Sequence, residues 1–155
     1  KVILNTAALE DPKIIDNIAN SYGSQCLVLS IDVKMNINGN WQVLGSNGKV
    51  DSGREVSIWA EEVVKRGAGE ILVTNIDQDG TGKGLDLALI SELVSNLTVP
   101  LIASGGCGLS QHFIDGYNAG ASAIAAGNFF TQRDQNPMQC RSHISNEGIP
   151  IRLEV

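Results

Sequence analysis

Short apolar runs alternate with amphipathic helical stretches along this chain, and that alternation restricts its fold more than any other feature. Residues 2–5, 26–32, 71–74, 101–103 and 123–126 read as strands. Between them lie stripes with helical spacing: Ile14, Ile15, Ile18, Ala19 and Tyr22; Val56, Trp59, Ala60, Val63 and Val64; Leu89, Ile90, Leu93, Val94 and Leu97; Phe113, Ile114 and Tyr117. Strands joined through helices run parallel, by right-handed crossovers. Cys26 to Ile31 is almost wholly apolar, which predicts a strand buried on both faces and closed by Asp32. Asp11-Pro12, Ser110 and Asn136-Pro137 supply helix starts, while Gly23, Pro100 and Gly148 supply stops. Residues 34–53 are long for a connection and contain Asn38-Gly39 and Asn47-Gly48, so a β excursion is predicted there.

With 155 residues the chain fits one domain, taken here as 1–155. A net charge of −6 argues against general binding to nucleic acid or to a membrane surface, since both want clustered Lys and Arg. A local anion site is still compatible, because backbone N–H groups build one without net positive charge. Cys26, Cys107 and Cys140 are odd in number, widely spaced and lack a Cys-x-x-Cys pair. That pattern predicts free thiols and a cytoplasmic protein rather than zinc or a disulfide framework. No apolar run approaches ~18 residues, so no membrane span is expected. The chain has no initiator Met and enters a strand at once, from which it is expected to begin inside a longer protein.

In parallel α/β folds the working residues gather where strands end and lead into helices. Here those places carry Asn5-Thr6, Asp32, Thr74 with Asp77, Asp79, Gly80 and Thr81, then Ser104-Gly105-Gly106, then Gly127-Asn128. The opposite loops carry Gly23, Gly67-Ala68-Gly69, Pro100 and Gly120. Three successive glycine-bearing loops predict a phosphate cradle, since glycine lets amides approach an anion without a Cβ between. Gly80-x-Gly82-x-Gly84 lacks dinucleotide spacing, and Gly82-Lys83-Gly84 lacks the P-loop hydroxyl, so no cofactor is expected. Asp32, ending an apolar strand, is the candidate acid/base; its alternative role is capping nearby amides. Asp79 suits substrate hydroxyls or a turn equally, and Lys34, two residues beyond Asp32, suits phosphate or solvent. His112 and His143 share no metal-ligand spacing and read as surface residues; no metal site is predicted. Cys107 has nothing adjacent to activate it.

Asn5-Thr6-Ala7-Ala8, Ser30-Ile31-Asp32-Val33-Lys34, residues 67–74, Asp79-Gly80-Thr81 with Gly84 and Asp86, and Ala103-Ser104-Gly105-Gly106 recur in an order that resembles the cyclase subunit of imidazole glycerol phosphate synthase, of histidine biosynthesis. The resemblance covers nearly all of this chain and about the last three-fifths of the family's barrel. It implies a partial (β/α)8 barrel, about five parallel βα units corresponding to strands 4 to 8. It also implies ammonia from a glutaminase partner, entering through the face opposite the active site. The substrate is a ribulosyl-formimino aminoimidazole carboxamide ribonucleotide with a phosphate at each end. The products are imidazole glycerol phosphate and aminoimidazole carboxamide ribonucleotide. Asp32 falls on one of two catalytic aspartates. Gly80, Gly106, Gly127 and Asn128 match positions at one phosphate, and Asn5 and Thr6 match positions near the other. Lys1 and Glu70 fall where the family keeps a charged gate for ammonia.

There are departures. The family's other catalytic aspartate lies on a first strand that this chain does not contain. Residues 128–137 differ from the usual ending, and the segment after Asp32 lacks a Lys-Arg pair. These differences raise a second reading, a paralogue that uses glutaminase ammonia to amidinate a surface sugar. A third is a non-catalytic half barrel that binds phosphate or serves assembly. Five parallel strands that cannot close leave two open edges, which predicts a homodimer or a partner that supplies the N-terminal barrel part.

Overall fold

Each expected strand and helix has a counterpart in a computed structural model, which describes residues 1–131 and 136–151.

 The elements run β1 (Val2–Leu4), α1 (Thr6–Glu10), α2 (Lys13–Tyr22), a 3-10 turn (Ser24–Cys26), β2 (Leu27–Met35), β3 (Trp41–Gly45), β4 (Val50–Glu55), α3 (Val56–Lys65), β5 (Glu70–Asn75), α4 (Leu87–Asn96), β6 (Leu101–Ser104), α5 (Ser110–Asn118), β7 (Ala123–Ala125), α6 (Asn128–Thr131) and α7 (Pro137–Asn146). β1, β2, β5, β6 and β7 pair in parallel, as expected of strands joined by helical crossovers. Both Asn-Gly signals mark turns: β2, β3 and β4 form an antiparallel meander. β2 shares one edge between two neighbours, pairing with β1 at Leu27 to Leu29 and with β3 at Asp32 to Met35. Its other edge pairs with β5.

The core lies where the helices cover the sheet. Leu29, Ile31, Val33, Ile71, Val73, Leu101 and Ala103 are buried, packed in one cluster with Ile15, Trp59, Val63, Leu89, Ile90, Leu93 and Phe129. Burying each large aliphatic side chain contributes about 1.5–3 kcal/mol. Arg66, at the end of α3, joins it to α2 by donating to Asp16 at 2.8 Å as well as to Glu62 at 2.9 Å. Arg54 of β4 also reaches Glu62 and lies 4.4 Å over the Trp59 ring, which fastens the meander to α3. Gly69 has a packing reason: a β-carbon there would overlap the Ser24 carbonyl.

Several expectations need correction. Cys26 belongs to the 3-10 turn, and β2 runs on past Asp32 to Met35 because β3 gives it a ladder to continue. β2 is buried on both faces only over Leu27 to Leu29; beyond that, buried residues alternate with half-buried Ser30 and Asp32. Tyr22 lies outside its helix's buried stripe, at 71% exposure. Ser110 is the first helical residue of α5, and the N-cap Leu109 makes no side-chain cap. Asn136 does cap α7, accepting from the Gln139 amide at 2.8 Å. The short helices α1 and α6 carry no strong apolar period and were not expected from the sequence.

Candidate functional site

One rung of the sheet gathers the polar strand ends. Asp32 stands opposite Thr74, Thr74 opposite Ser104, and Ser104 opposite Ala125. Residues paired across parallel strands share a face, so these side chains point to the side that the helices leave open. Asp32 is half-buried, and Asn5, just after β1, donates to its Oδ2 at 3.0 Å. Lys34 is exposed and pairs with Asp77 at 3.5 Å. Thr6 Oγ1 accepts from the Ser46 amide at 2.9 Å, which ties the β3–β4 turn to the start of α1.

The glycine loops lie against one another. Gly84 donates to the Gly106 carbonyl at 2.8 Å. A β-carbon on Gly105, at φ +95°, would sit 2.5 Å from the Asn75 carbonyl, and one on Gly106, at φ +107°, would overlap that of Gly84. Both positions therefore demand glycine, for contact as well as for backbone angle. Between the loops is a cleft of about 300 Å³ lined by Gly80, Thr81, Gly82, Cys107, Gly108, Asn128 and Phe129. Asp79, Ser104, Gly105, Gly106 and Gly127 line its continuation toward β6 and β7. Among the described residues, the amides of Gly80, Gly106, Cys107 and Gly127 have no backbone acceptor. Uncommitted N–H groups of this kind are what an anion requires. Thr81 is occupied within its own loop: its hydroxyl donates to the Gln78 carbonyl at 2.7 Å and accepts from the Lys83 amide at 3.2 Å. Asp79 is exposed, with its amide on the Asn75 carbonyl.

Three strand spacings of about 4.8 Å separate β2 from β7, so Asp32 and the far side of the cradle are roughly 14 Å apart. An anion in the cleft thus leaves Asp32 free to meet another part of the same molecule. On the opposite face, Lys1 and Glu70 form an ion pair across β2. A roomier, largely apolar cleft of about 480 Å³ lies beside β7, with Phe113, Tyr117, Ile124, Cys140 and Ile144 in its wall. Among the described residues its lining holds no carboxylate, and it is separate from the rung of Asp32.

Two groups at the rim were not singled out as site residues from the sequence. Asn75, buried at 4% exposure, donates to Asp86 at 2.7 Å and accepts from the Asp77 amide at 3.0 Å. Asp86 caps α4 through the Leu89 amide and also accepts from Trp41 Nε1 at 2.9 Å. Asp86 therefore joins the meander to the loop that carries Asp79 and Gly80. Its position before an apolar helical run was the available signal; nothing local marks Trp41 as its partner. His112, read as a surface residue, is half-buried and hydrogen bonded to the loop before α5. Burial, with a smaller push from Cys140, drives the Cys107 thiol up to about 12, so it lines the cleft as a neutral group. No group of three or more His, Cys, Asp or Glu among the described residues is placed to hold a metal ion, and no helix there is long and apolar enough to cross a membrane.

Fold and rim together define a partial (β/α)8 barrel with its polar groups collected where the parallel strands end. Residues 1–136 match the sequence model of a family described as "Histidine biosynthesis protein". The chain belongs to that family. It is 56% identical, over 99% of its length and 59% of the relative's, to a protein of Prochlorococcus marinus (strain MIT 9313) named putative imidazole glycerol phosphate synthase subunit hisF2. Two proteins named imidazole glycerol phosphate synthase subunit HisF are also similar. That of Gluconacetobacter diazotrophicus is 39% identical over 98% of this chain and 59% of its own. That of Helicobacter hepaticus is 40% identical over 99% of this chain and 61% of its own. The chain thus spans about three-fifths of the length of these curated relatives.

Proposed function

We propose that residues 1–155 form one partial-barrel unit that supplies a catalytic carboxylate and a phosphate grip to an ammonia-using cyclase of the imidazole glycerol phosphate synthase type. The observation that carries this reading is the shared rung: Asp32, held by Asn5, stands in line with Thr74 and Ser104 below the cleft of free amides. In this reading Asp32 moves protons during carbon–nitrogen bond cleavage and ring closure. Asn5 fixes the orientation of its carboxylate. Gly80, Gly105, Gly106, Gly127 and Asn128 hold one phosphate, with Asp79, Thr74, Thr81 and Ser104 facing the linking hydroxyls. Thr6 and Lys34 serve the second phosphate.

Ammonia arrives from a glutaminase subunit docked on the opposite face, where the pair Lys1–Glu70 stands at the entry. Further strands come from an N-terminal barrel part or from a second copy of the chain, since among the described residues β1 and β7 each have a neighbour on one side only. The three cysteines are free, which suits a reducing compartment such as the cytoplasm.

The test joins this chain to the first two-fifths of a relative's barrel and follows turnover with an ammonium salt. Asp32→Asn is expected to lower the rate by about 10²–10⁴-fold while inorganic phosphate still binds. A wild-type rate in that variant removes Asp32 from the chemistry. Turnover of the histidine-pathway substrate by the joined protein also separates this reading from the sugar-amidinating one.

A further inference from the structure

His112 lies between the two glycine loops of the cleft. Its Nδ1 accepts from the Gly108 amide at 3.0 Å and from the Leu109 amide at 3.3 Å. The other edge of the ring faces Gly84: a β-carbon built there would lie 3.7 Å from His112 Cδ2 and Nε2, in ordinary contact. Gly108 has no space for a side chain, because its β-carbon would overlap the Gly82 carbonyl. Gly82 and Gly108 line the same cleft. One imidazole therefore anchors the loop after β6 and stands beside the loop after β5.

The bonding fixes the state of the ring. Two donors converge on Nδ1, so that nitrogen carries a lone pair and the neutral ring has its proton on Nε2. His112 thus takes the amides of Gly108 and Leu109, next along the chain to the Gly106 and Cys107 amides that have no backbone acceptor among the described residues.

We infer that His112 is a positioning residue for the anion cleft, its Nδ1 acceptor holding the loop after β6 in its binding shape. This rests on the phosphate reading of the cleft.

The test titrates inorganic phosphate into the 155-residue chain and into two variants. His112→Phe keeps a ring but removes the acceptor; His112→Gln keeps a side-chain carbonyl acceptor. Losing the anchors of two amides is expected to weaken phosphate binding about tenfold in the Phe variant. The Gln variant stays within about threefold of wild type, as a side-chain acceptor three residues into a helix can reach back to the cap amide.

Equal affinity of the Phe variant and wild type overturns the inference. Amide exchange supplies an independent readout. Gly108 and Leu109 are expected to be protected in wild type and in the Gln variant and unprotected in the Phe variant; equal protection in all three overturns the anchoring role. If wild type binds no phosphate while this exchange pattern holds, the phosphate reading fails and the anchor stands.

Discussion

The two faces of the parallel sheet meet different surroundings. On one, Ile31, Ile71, Val73, Leu101 and Ala103 are at most 1% exposed beneath helices. On the other, Ser30, Asp32, Leu72, Thr74, Ile102 and Ser104 are only half-buried. The two sets alternate residue by residue along the same strands, so a single ladder serves both. The difference teaches a division of labour: the covered face supplies cohesion, and the open one can carry polar groups because solvent still reaches them.

The first way to break this comparison is to remove bulk from each face in turn. Ile31→Ala is expected to destabilise the chain by about 2–5 kcal/mol in urea unfolding, because a cavity is left among fixed neighbours. Leu72→Ala should cost clearly less, as its surroundings are partly solvent; equal losses would mean that the open face is covered in solution. Trp41→Phe comes next. It leaves Asp86 without one donor, an expected loss of about 1.5–3 kcal/mol for a bond to a charged group, with Asp79 and Gly80 loosened in amide exchange.

An alkaline titration sharpens the comparison from the cleft side. The folded chain keeps the Cys107 proton until about pH 12, whereas the unfolded thiol releases it near 9.0. The folded state is thus favoured in full below that lower value, and its advantage is lost as pH rises toward the upper one, which urea midpoints at pH 8 and pH 10.5 would reveal. At pH 8 iodoacetamide should modify half-exposed Cys26 well before Cys107 or Cys140, as peptide mass analysis can follow. The smallest effect belongs to the opposite rim. Glu70→Gln breaks an exposed ion pair and should change stability by about 0–1 kcal/mol.

Much of this was legible beforehand, for identifiable reasons. Runs such as 71–74 and stripes such as Val56, Trp59, Ala60 and Val63 carry their period in the sequence, and each Asn-Gly pair names its own turn. Asp32, Thr74 and Ser104 were found because strand ends can be counted. Their common rung is a matter of register, which depends on pairing between residues 42 and 30 positions apart and has no local signature. The contacts from Trp41 to Asp86 and from His112 to Gly108 escaped for different causes. The first joins residues 45 apart in sequence. The second is local, only four apart, but histidine is an unusual acceptor at a helix start and lacks the Ser/Thr-x-x-Glu pattern that would advertise it.

β2 has a neighbour on both sides along most of its length: β5 on one, and β1 followed by β3 on the other. The outermost strands can fray, each being tethered along a single margin, without loosening the strand between them. Asp32 therefore rides on the part of the sheet that opens last, and its aim should survive breathing that would blur a carboxylate mounted at the periphery.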